Sequence, residues 1–403
     1  MNFRRRVAVT GLGTISAVGE GTSTLFDAMR TGRSGIGPIT CFDPARLAVK
    51  IAAEVQNFAG DAHFDRRQLL MMDRVSQFAV LAAREAMAGI DPRLYPASRC
   101  GVVMGASLGQ TTIDATYHAL YAEGASRLPP LTIPRTMPNA PASLVAMEFG
   151  FHGPCFATAS ACASSAHAIG LAGQMVRSGM LDMAICGGSD ASICLGYLKA
   201  WDGLRVLSHD TCRPFSRDRS GLVIGEGAGV VVLEAWEHAR ARGAPVHAEF
   251  LGFGMTSDAG DLTAPSADGA ASAITAALDD AGIGATVVDY VNAHGTATRL
   301  NDRTETQALH SVFGPHAARL AVSSSKSMHG HCLNAAGGIE AVVTVLALRE
   351  GLVPPTLGHR EDDPDCDLDY VPNVGRRWPI GVALSNSFAF GGLNAVLAFG
   401  RAP

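Results

Sequence analysis

The chain has 403 residues, of which 47% are apolar and only 17% are charged, and its formal net charge is -5. This composition is typical of a large folded α/β protein and excludes a disordered chain, and the negative charge gives no reason to expect nucleic-acid binding. The length exceeds the size at which one core usually stops growing, which predicts two subdomains. No apolar run reaches the roughly 20 residues of a membrane helix, so we expect no membrane span.

The cysteine content predicts a reduced, cytoplasmic protein. The nine cysteines are an odd number and no two have C-x-x-C spacing. Neither a disulfide framework nor a zinc site is therefore expected, and we predict no bound metal. Gly11 and Gly13 interrupt the apolar region that a secretion signal near the start would need.

Short apolar segments that end at glycine alternate with Ala-rich helical segments. In the first half, strands are expected at 7–13, 100–105, 183–188 and 225–234, and helices at 163–179 and 235–242. In the second half, strands are expected at 247–253, 288–293, 320–324, 380–385 and 395–399, and helices at 269–281 and 333–349. The glycines after the first strand lack the full dinucleotide-binding pattern, so a structural turn is expected there.

This order of elements predicts the fold class. Alternating strands and helices indicate an α/β layer fold with mostly parallel pairing. Residues 156–179 contain small residues, then a cysteine and then a predicted helix. Residues 322–351 contain small residues, then a histidine and then a predicted helix. This shared order suggests an internal duplication.

Cys162 is the first candidate for chemistry. It follows TASA at 158–161 and precedes a helix, so small side chains surround a thiol at a helix N-terminus. The partial positive charge of that terminus favours the thiolate, which is the nucleophilic form. A lone cysteine among small residues is more often part of a core, but two further polar segments follow strands downstream. These segments contain His294 and, in KSMHGH at 326–331, Lys326 and His331.

Four motifs together carry a family resemblance. They are TASAC at 158–162, VNAHGTAT at 291–298, SSKSMHGH at 324–331 and SNSFAFGG at 385–392. In this order the chain resembles the elongating β-ketoacyl-acyl carrier protein synthases of the type II systems, which belong to the thiolase superfamily, from Val7 to Phe399. The resemblance implies a thiolase fold, a duplicated five-layer α/β/α/β/α arrangement. It implies an N-terminal half at 1–245 that carries the cysteine and a C-terminal half at 246–403 that carries both histidines.

The resemblance also implies roles for these residues. Cys162 takes an acyl chain from a thioester, while His294 and His331 stabilise the enolate that forms when a malonyl thioester loses carbon dioxide. Lys326 is a buried cation beside the histidines, with Glu340 as its ion partner. The backbone N–H groups of Cys162 and Phe390 form the oxyanion hole.

The family pattern assigns substrate contacts as well. Thr296 and Thr298 bind phosphopantetheine, Leu108 and Trp201 line the acyl pocket, and Phe390 is a gate that moves within the loop 386–392. The substrate set also includes Glu340 through its pairing with Lys326. No cofactor is expected apart from the phosphopantetheine of the acyl carrier protein. Two departures, Ala389 for glycine and Leu393 for threonine, indicate an altered gate.

Several other residues receive secondary assignments. His329 stands where the family usually has a small residue and is expected to be structural, as is His167. Asp302 and Glu305 are expected to form structural hydrogen bonds or to act in catalysis. The expected partners are the acidic carrier protein and a second subunit, in a homodimer or in a heterodimer with a chain-length partner. Candidate carrier-docking residues are Arg66, Arg67, Arg205 and Arg213, the last of which could instead pair with Asp218.

Four alternatives to housekeeping fatty-acid elongation stay open. A ketosynthase of a specialised pathway, such as nodulation-signal acyl chains or polyenes, fits the variant motifs. A non-decarboxylating thiolase would need a second cysteine, and the late Cys366 lies in an acidic stretch that disfavours its thiolate. A non-catalytic chain-length partner would lack the active cysteine. A Cys–His hydrolase would use one histidine as a base rather than two histidine motifs and a lysine.

Overall fold

The structure is a computed structural model that describes residues 4–105 and 107–402. Its strands are β1 Val7–Ser16, β2 Gly19–Glu20, β3 Gly37–Pro38, β4 Ile51–Ala52, β5 Cys100–Gly105, β6 Cys155–Thr158, β7 Met183–Asp190, β8 Gly227–Ala235, β9 Ala248–Ser257, β10 Tyr290–Asn292, β11 Ala321–Ser323, β12 Leu352–Val353, β13 Arg376–Arg377, β14 Val382–Ala389 and β15 Leu393–Arg401. Its α-helices are α1 Thr22–Thr31, α2 Arg66–Met71, α3 Arg74–Ala86, α4 Gln110–Tyr121, α5 Thr132–Thr136, α6 Ala140–Phe149, α7 Ser164–Arg177, α8 Leu195–Leu204, α9 Trp236–Ala241, α10 Ala267–Ala281, α11 Arg299–Phe313, α12 Lys326–His329 and α13 Ala336–Glu350.

The strand order confirms the duplication. The main sheet runs β11-β10-β14-β15-β9-β1-β8-β7-β5-β6. Read outward from its centre, the second half (β9, β15, β14, β10, β11) repeats the first (β1, β8, β7, β5, β6) strand for strand. The pairing directions also match, since the two outermost pairs of each half are parallel and the two inner pairs are antiparallel. Antiparallel pairing of β1 with β9 joins the halves.

The expectation of mostly parallel pairing is therefore wrong. In each half the last strand returns antiparallel between the first strand and the parallel set. Nothing in the apolar pattern of these strands distinguishes the two directions, because strands buried on both faces look alike in sequence.

The helices form layers on both sides of these strands. Helices α7 and α13 pack on each other and on strands of both halves, so they form the central layer. Helices α3 and α6 cover the outer face of the first half, and α10 covers that of the second half, where α11 packs on α10. Helix α13 is buried from Ala336 to Leu348, as a central helix between two sheets requires.

The first strand explains why glycines stand inside an apolar segment. A turn was expected at Gly11 and Gly13, but both lie within β1, which continues to Ser16. A Cβ atom built at Gly11 would lie 1.9 Å from the carbonyl oxygen of Ala86, and one at Gly13 would lie 1.9 Å from that of Ala82. The glycines thus let α3 pack directly on the strand.

Among the described helices, none combines the length and the apolar character that crossing a bilayer requires.

Candidate active site

Cys162 occupies a tight turn between a strand and a helix. Strand β6 ends at Thr158, a 3-10 turn covers Ala161–Ala163, and α7 begins at Ser164. Ala161 has a left-handed φ of 47°, a conformation that non-glycine residues adopt at some energetic cost. The Cys162 side chain is 8% exposed. The predicted helix N-terminus is confirmed.

The environment of Cys162 does not favour the expected thiolate. Burial raises the pKa of Cys162 to about 12, and the positive charge of Lys326 and a backbone hydrogen bond oppose this shift only in part. Desolvation outweighs the helix N-terminus because the thiol lies below the surface. The buried thiol of Cys162 is therefore harder to ionise than the thiol of an exposed cysteine.

His294 lies in the loop that follows β10. The carboxylate of Glu305 accepts the backbone N–H groups of His294 and Gly295 at 2.9 and 2.8 Å, and Nδ2 of Asn386 donates to it at 3.0 Å. Glu305 is fully buried, so these hydrogen bonds hold the loop between α11 and β14. Nδ1 of His294 lies 3.3 Å from Nζ of Lys326.

His331 is held by a different set of bonds. Its N–H donates to the carbonyl of Val223 at 2.7 Å, and its carbonyl accepts from the N–H of Gly225 at 2.9 Å. Its Nδ1 accepts the backbone N–H of Leu333 at 3.2 Å. The main chain of His331 is thus anchored to residues 223–225.

These contacts fix the tautomer of both imidazoles. Each Nδ1 accepts a hydrogen bond, from Lys326 in His294 and from the Leu333 backbone in His331, so the proton of each neutral ring is on Nε2. Burial, followed by the charge of Lys326, lowers the pKa of both histidines well below 6.5. The ring centroids lie 5.4 Å apart. The site therefore holds two neutral imidazoles, each with an Nε2–H to donate.

Lys326 and Glu340 form an ion pair beneath the histidines. Both side chains are fully buried, and Nζ of Lys326 donates to Oε1 of Glu340. Burial raises the pKa of Glu340 to about 7, while Lys326 opposes the shift. Neither residue lines the cavity described next. Glu340 was expected among the substrate-binding residues, but it contacts Lys326 and has no access to a substrate.

A cavity of about 730 Å³ opens above Cys162 and both histidines. Of the other sequence-predicted residues, Thr296, Thr298, Trp201 and Phe390 also line it. The hydroxyls of Thr296 and Thr298 lie 2.9 Å apart, and the rings of Trp201 and Phe390 stack with centroids 6.2 Å apart. The cavity thus joins the thiol, two polar side chains and an aromatic pair.

The gate differs from the expected flexible loop at 386–392. Strand β14 continues to Ala389 and pairs with β15 up to Leu393, so only residues 390–392 form the turn. Phe390 is 38% exposed, and the N–H of Gly391 donates to the carbonyl of Leu262 at 2.7 Å. Residues 386–389 are held by the strand ladder with β15.

Leu108 does not line this cavity. It is 44% exposed and precedes α4. Within the single chain, Leu108 therefore does not take the position in the acyl pocket that the family pattern assigns to it.

His329 is also absent from the cavity lining: it is fully buried, and its Nε2 lies 2.9 Å from Oγ of Ser325. Nδ1 of His167 lies 2.8 Å from Oγ of Ser160. Asp302 accepts the N–H of Phe215 at 2.7 Å.

The candidate docking arginines separate into three groups. Arg205 is exposed and lines the cavity, whereas Arg66 and Arg67 are exposed on α2 and do not line it. Arg213 is 4% exposed and pairs with Asp210 and Asp218. Its docking assignment is therefore wrong, and the alternative of an internal ion pair with Asp218 is correct.

Sequence reasoning missed residues that meet only in the fold. Leu204, Leu262 and Leu300 are exposed apolar residues at the cavity opening. Asn334 and Asp190 are hydrogen-bonded to each other behind the Cys162 turn. An exposed leucine or a buried amide has no distinctive sequence signal, since its role depends on contacts between distant segments.

Comparison with known proteins agrees with this geometry. Residues 4–239 match the family model "Beta-ketoacyl synthase, N-terminal domain", and residues 247–360 match "Beta-ketoacyl synthase, C-terminal domain". The chain is 49% identical over 398 residues to "Nodulation protein E" of Rhizobium sp. (strain N33), covering 98% of this chain and 99% of the relative. It is 42% identical over 407 residues to "3-oxoacyl-[acyl-carrier-protein] synthase 2" of Synechocystis sp. (strain ATCC 27184 / PCC 6803 / Kazusa), covering 98% of each.

A solved structure extends the comparison to the fold. The structure of "The ishigamide ketosynthase/chain length factor" superposes with a TM-score of 0.95 at 38% identity, covering 99% of this chain and 100% of the other. The expected five-layer thiolase fold is confirmed. Because the family models cover most of the chain and the relatives align over nearly all of it, this chain belongs to the β-ketoacyl synthase family.

Proposed function

We propose that this β-ketoacyl synthase condenses a Cys162-bound acyl chain with a malonyl group carried by an acyl carrier protein, with loss of carbon dioxide. The observation that carries this proposal is the pair of neutral imidazoles, His294 and His331, each protonated on Nε2, which line the same cavity as Cys162. Two such donors suit the oxygen of one thioester carbonyl.

The first step is acyl transfer to the thiol. The sulfur of Cys162 attacks the carbonyl carbon of the acyl thioester, forming a new C–S bond, and the bond to the carrier sulfur breaks. The Cys162 proton ends on the departing carrier thiol. The backbone N–H groups of Cys162 and Phe390 stabilise the tetrahedral oxyanion.

The second step generates the carbon nucleophile. A malonyl thioester places its carbonyl oxygen between the Nε2–H groups of His294 and His331. The C–C bond to the carboxylate breaks, carbon dioxide leaves, and the electron pair forms an enolate that both imidazoles stabilise. Lys326 orients His294 through its contact with Nδ1, and the carboxylate of Glu340 offsets the buried charge of Lys326.

The third step joins the two carbon chains. The enolate carbon attacks the carbonyl of the acyl-Cys162 thioester in the same oxyanion hole. The C–S bond then breaks, and the Cys162 thiolate that leaves takes a proton from solvent, which restores the thiol and leaves a β-ketoacyl group on the carrier.

The carrier protein would deliver both substrates on its phosphopantetheine arm. Thr296 and Thr298 lie along the cavity and are suited to hydrogen-bond the amides of the arm. Arg205 at the opening would attract the acidic carrier. The name of the Synechocystis relative, which specifies an acyl carrier protein, supports this partner.

A second subunit is the other proposed partner. Strand β6 pairs along the main sheet only with β5, so its other edge is open in the described chain, and Ile133, Tyr117 and Tyr121 are exposed on the nearby helices. Either a homodimer or a heterodimer with a chain-length partner fits, and the chain length factor named in the ishigamide complex supports the second form. We place the protein in the cytoplasm, where its nine cysteines stay reduced.

The chemistry disfavours the other enzyme classes. The second cysteine that a thiolase needs is lacking at the cavity: Cys366 is 5% exposed and does not line it. A hydrolase base would need a free imidazole nitrogen, yet each Nδ1 is occupied and each Nε2 bears the proton. A specialised pathway remains a second candidate, supported by the 49% identity to nodulation protein E.

The division into halves at 1–245 and 246–403 is also proposed. The loop 242–247 links α9 to β9, where the strand order begins its repeat.

Mass spectrometry with acyl- and malonyl-carrier proteins tests the proposed reaction. We expect an acyl adduct on the wild type that is absent in Cys162→Ala, and loss of carbon dioxide release in His331→Ala. Condensation that persists in Cys162→Ala contradicts the proposal. Substrates of graded chain length then separate fatty-acid elongation from a specialised pathway.

A further inference from the structure

The duplication gives Cys162 a counterpart in the second half. Each half has a strand, a 3-10 turn and a central helix in the same order. The turn is Ala161–Ala163 before α7 in one half and Leu333–Ala335 before α13 in the other. The first residue of each turn has a left-handed φ of 47°. Cys162 is the middle residue of the first turn, and Asn334 is the middle residue of the second.

The side chain of Asn334 spans the interface between the halves. Its Nδ2 donates to Oδ2 of Asp190 at 2.9 Å, and its Oδ1 lies 3.0 Å from the hydroxyl of Ser164. Asp190 is fully buried at the end of β7. A buried carboxylate needs such a donor, because an unpaired charge in this position is costly.

Ser164 transmits this contact to the nucleophile. Its hydroxyl accepts the N–H of Ser160 at 2.9 Å and lies 2.7 Å from the carbonyl oxygen of Ala161. The hydroxyl therefore contacts both residues that lead into Cys162, including the one with left-handed backbone. Its single proton has two acceptors, the carbonyl of Ala161 and the amide oxygen of Asn334, so the amide is one of the two groups that orient this hydroxyl.

The Asn334 turn is also fixed from behind. The backbone carbonyl oxygen of Asn334 would lie 2.9 Å from a Cβ atom built at Gly105 and 2.8 Å from one built at Gly188. These two glycines allow the turn to press against β5 and β7. The backbone of Asn334 therefore has little freedom to move, and its side chain is held in contact with Ser164.

In the described chain the side chain of Asn334 bonds to Asp190 and Ser164, whereas His331 is held by other groups. Its main chain is bonded to Val223 and Gly225, and its Nδ1 to the backbone of Leu333. We propose that Asn334, held by Asp190, is a positioning residue that sets the Cys162 turn for acyl capture without acting on the decarboxylation step. This inference rests on the proposed function for its substrates, but it concerns one half-reaction only.

The two half-reactions can be measured separately. Acyl capture is the rate at which the Cys162 adduct forms from acyl-carrier protein, and decarboxylation is carbon dioxide release from malonyl-carrier protein. In Asn334→Ala we expect acyl capture to fall by roughly tenfold to 100-fold, as for a small misplacement of a reacting group. Decarboxylation should keep most of its rate. An equal loss in both rates, or no loss in capture, overturns the inference.

A reciprocal exchange provides the sharper test. Asn334→Asp alone places two carboxylates together, and Asp190→Asn alone pairs two amides. The double variant Asn334→Asp/Asp190→Asn restores one donor and one acceptor with the roles reversed. We expect capture to be lowest in Asn334→Asp, where two acidic side chains meet, to fall less in Asp190→Asn, where an amide oxygen still accepts from Asn334, and to recover in the double variant. Failure to recover in a folded double variant contradicts positioning through this bond.

Two further variants keep the test independent of folding and of the proposed function. Ser164→Ala cuts the link at its other end and should show the same selective loss if Asn334→Ala does not fold. Asn139→Ala removes an amide bonded to Ser143 on α6 and is the matched control. Alkylation of Cys162 by iodoacetamide needs no carrier protein, so a slower rate in Asn334→Ala supports the inference even if the wild type accepts no acyl chain, and an unchanged rate opposes it.

Discussion

The ammonium group of Lys326 lies 3.3 Å from Nδ1 of His294 and determines which nitrogen of that imidazole carries the proton. An ammonium has only donors, so Nδ1 must accept and Nε2 must be protonated. Burial, followed by the charge of the same cation, lowers the pKa of His294 well below 6.5, which keeps the ring neutral. One buried charge therefore sets the tautomer of this imidazole and adds to the burial that keeps the ring neutral.

Removing one partner of the Lys326–Glu340 pair should destabilise the protein strongly. In Glu340→Gln the ammonium is left buried without a counter-charge, and we expect the free energy of unfolding to fall by about 3–5 kcal/mol. Urea denaturation measures the change. The double variant Lys326→Met/Glu340→Leu should recover most of this stability yet remain defective in decarboxylation, because the donor to His294 is gone. Full activity in the double variant would show that Lys326 is not needed.

His329 should make stability depend on pH. Burial lowers its pKa from an ordinary value of 6.5 to about 3 in the folded protein, so below pH 6.5 the unfolded chain binds a proton that the folded chain does not. This contribution to stability is present above pH 6.5 and decreases by about 1.4 kcal/mol per pH unit as the pH falls. In His329→Asn the unfolding free energy should fall less steeply between pH 6.5 and 4.5. The exposed His118→Asn is the control, and identical slopes in all three proteins would refute the expectation.

The Trp201–Phe390 stack should limit the acyl chains that enter. Trp201→Ala removes the indole from the cavity wall, so longer or bulkier acyl chains should gain in kcat/KM by roughly tenfold relative to short ones. The measurement is Cys162 acylation with carrier-bound chains of graded length. Leu204→Ala, at the exposed opening, is the control and should leave the order of preference unchanged. An unchanged preference in Trp201→Ala would remove this residue from the acyl pocket.

Arg205 should affect carrier binding through charge. Arg205→Glu should raise the KM for acyl-carrier protein several-fold at low salt, and the difference from wild type should shrink as salt screens the charges. Acylation with a small pantetheine thioester, which lacks the protein surface, is the internal control and should change little. Reversing Arg67, which is exposed on α2 away from the cavity, tests whether the docking surface extends that far.

The motifs that hold Cys162, His294, Lys326 and His331 could be found in the sequence because each is a short contiguous run after a strand. The environment of these four residues could not be predicted from the sequence. The pKa of Cys162 depends on burial by segments far along the chain, and the partners of Asn334 are 144 and 170 residues away. The prediction of mostly parallel strands was wrong for a related reason, since a buried strand has the same composition whichever way it runs.

The matching turns at Ala161 and Leu333 suggest how one ancestral unit came to perform a reaction with two distinct demands. A single polypeptide module, repeated, has the same backbone turn in both copies with different side chains. In the proposed mechanism one copy presents the sulfur that stores the acyl chain, and the other supplies the hydrogen-bond donors for carbanion chemistry. Neither copy is a complete catalyst. Each copy contributes part of one site, because Cys162 from the first copy and both histidines from the second line the same cavity.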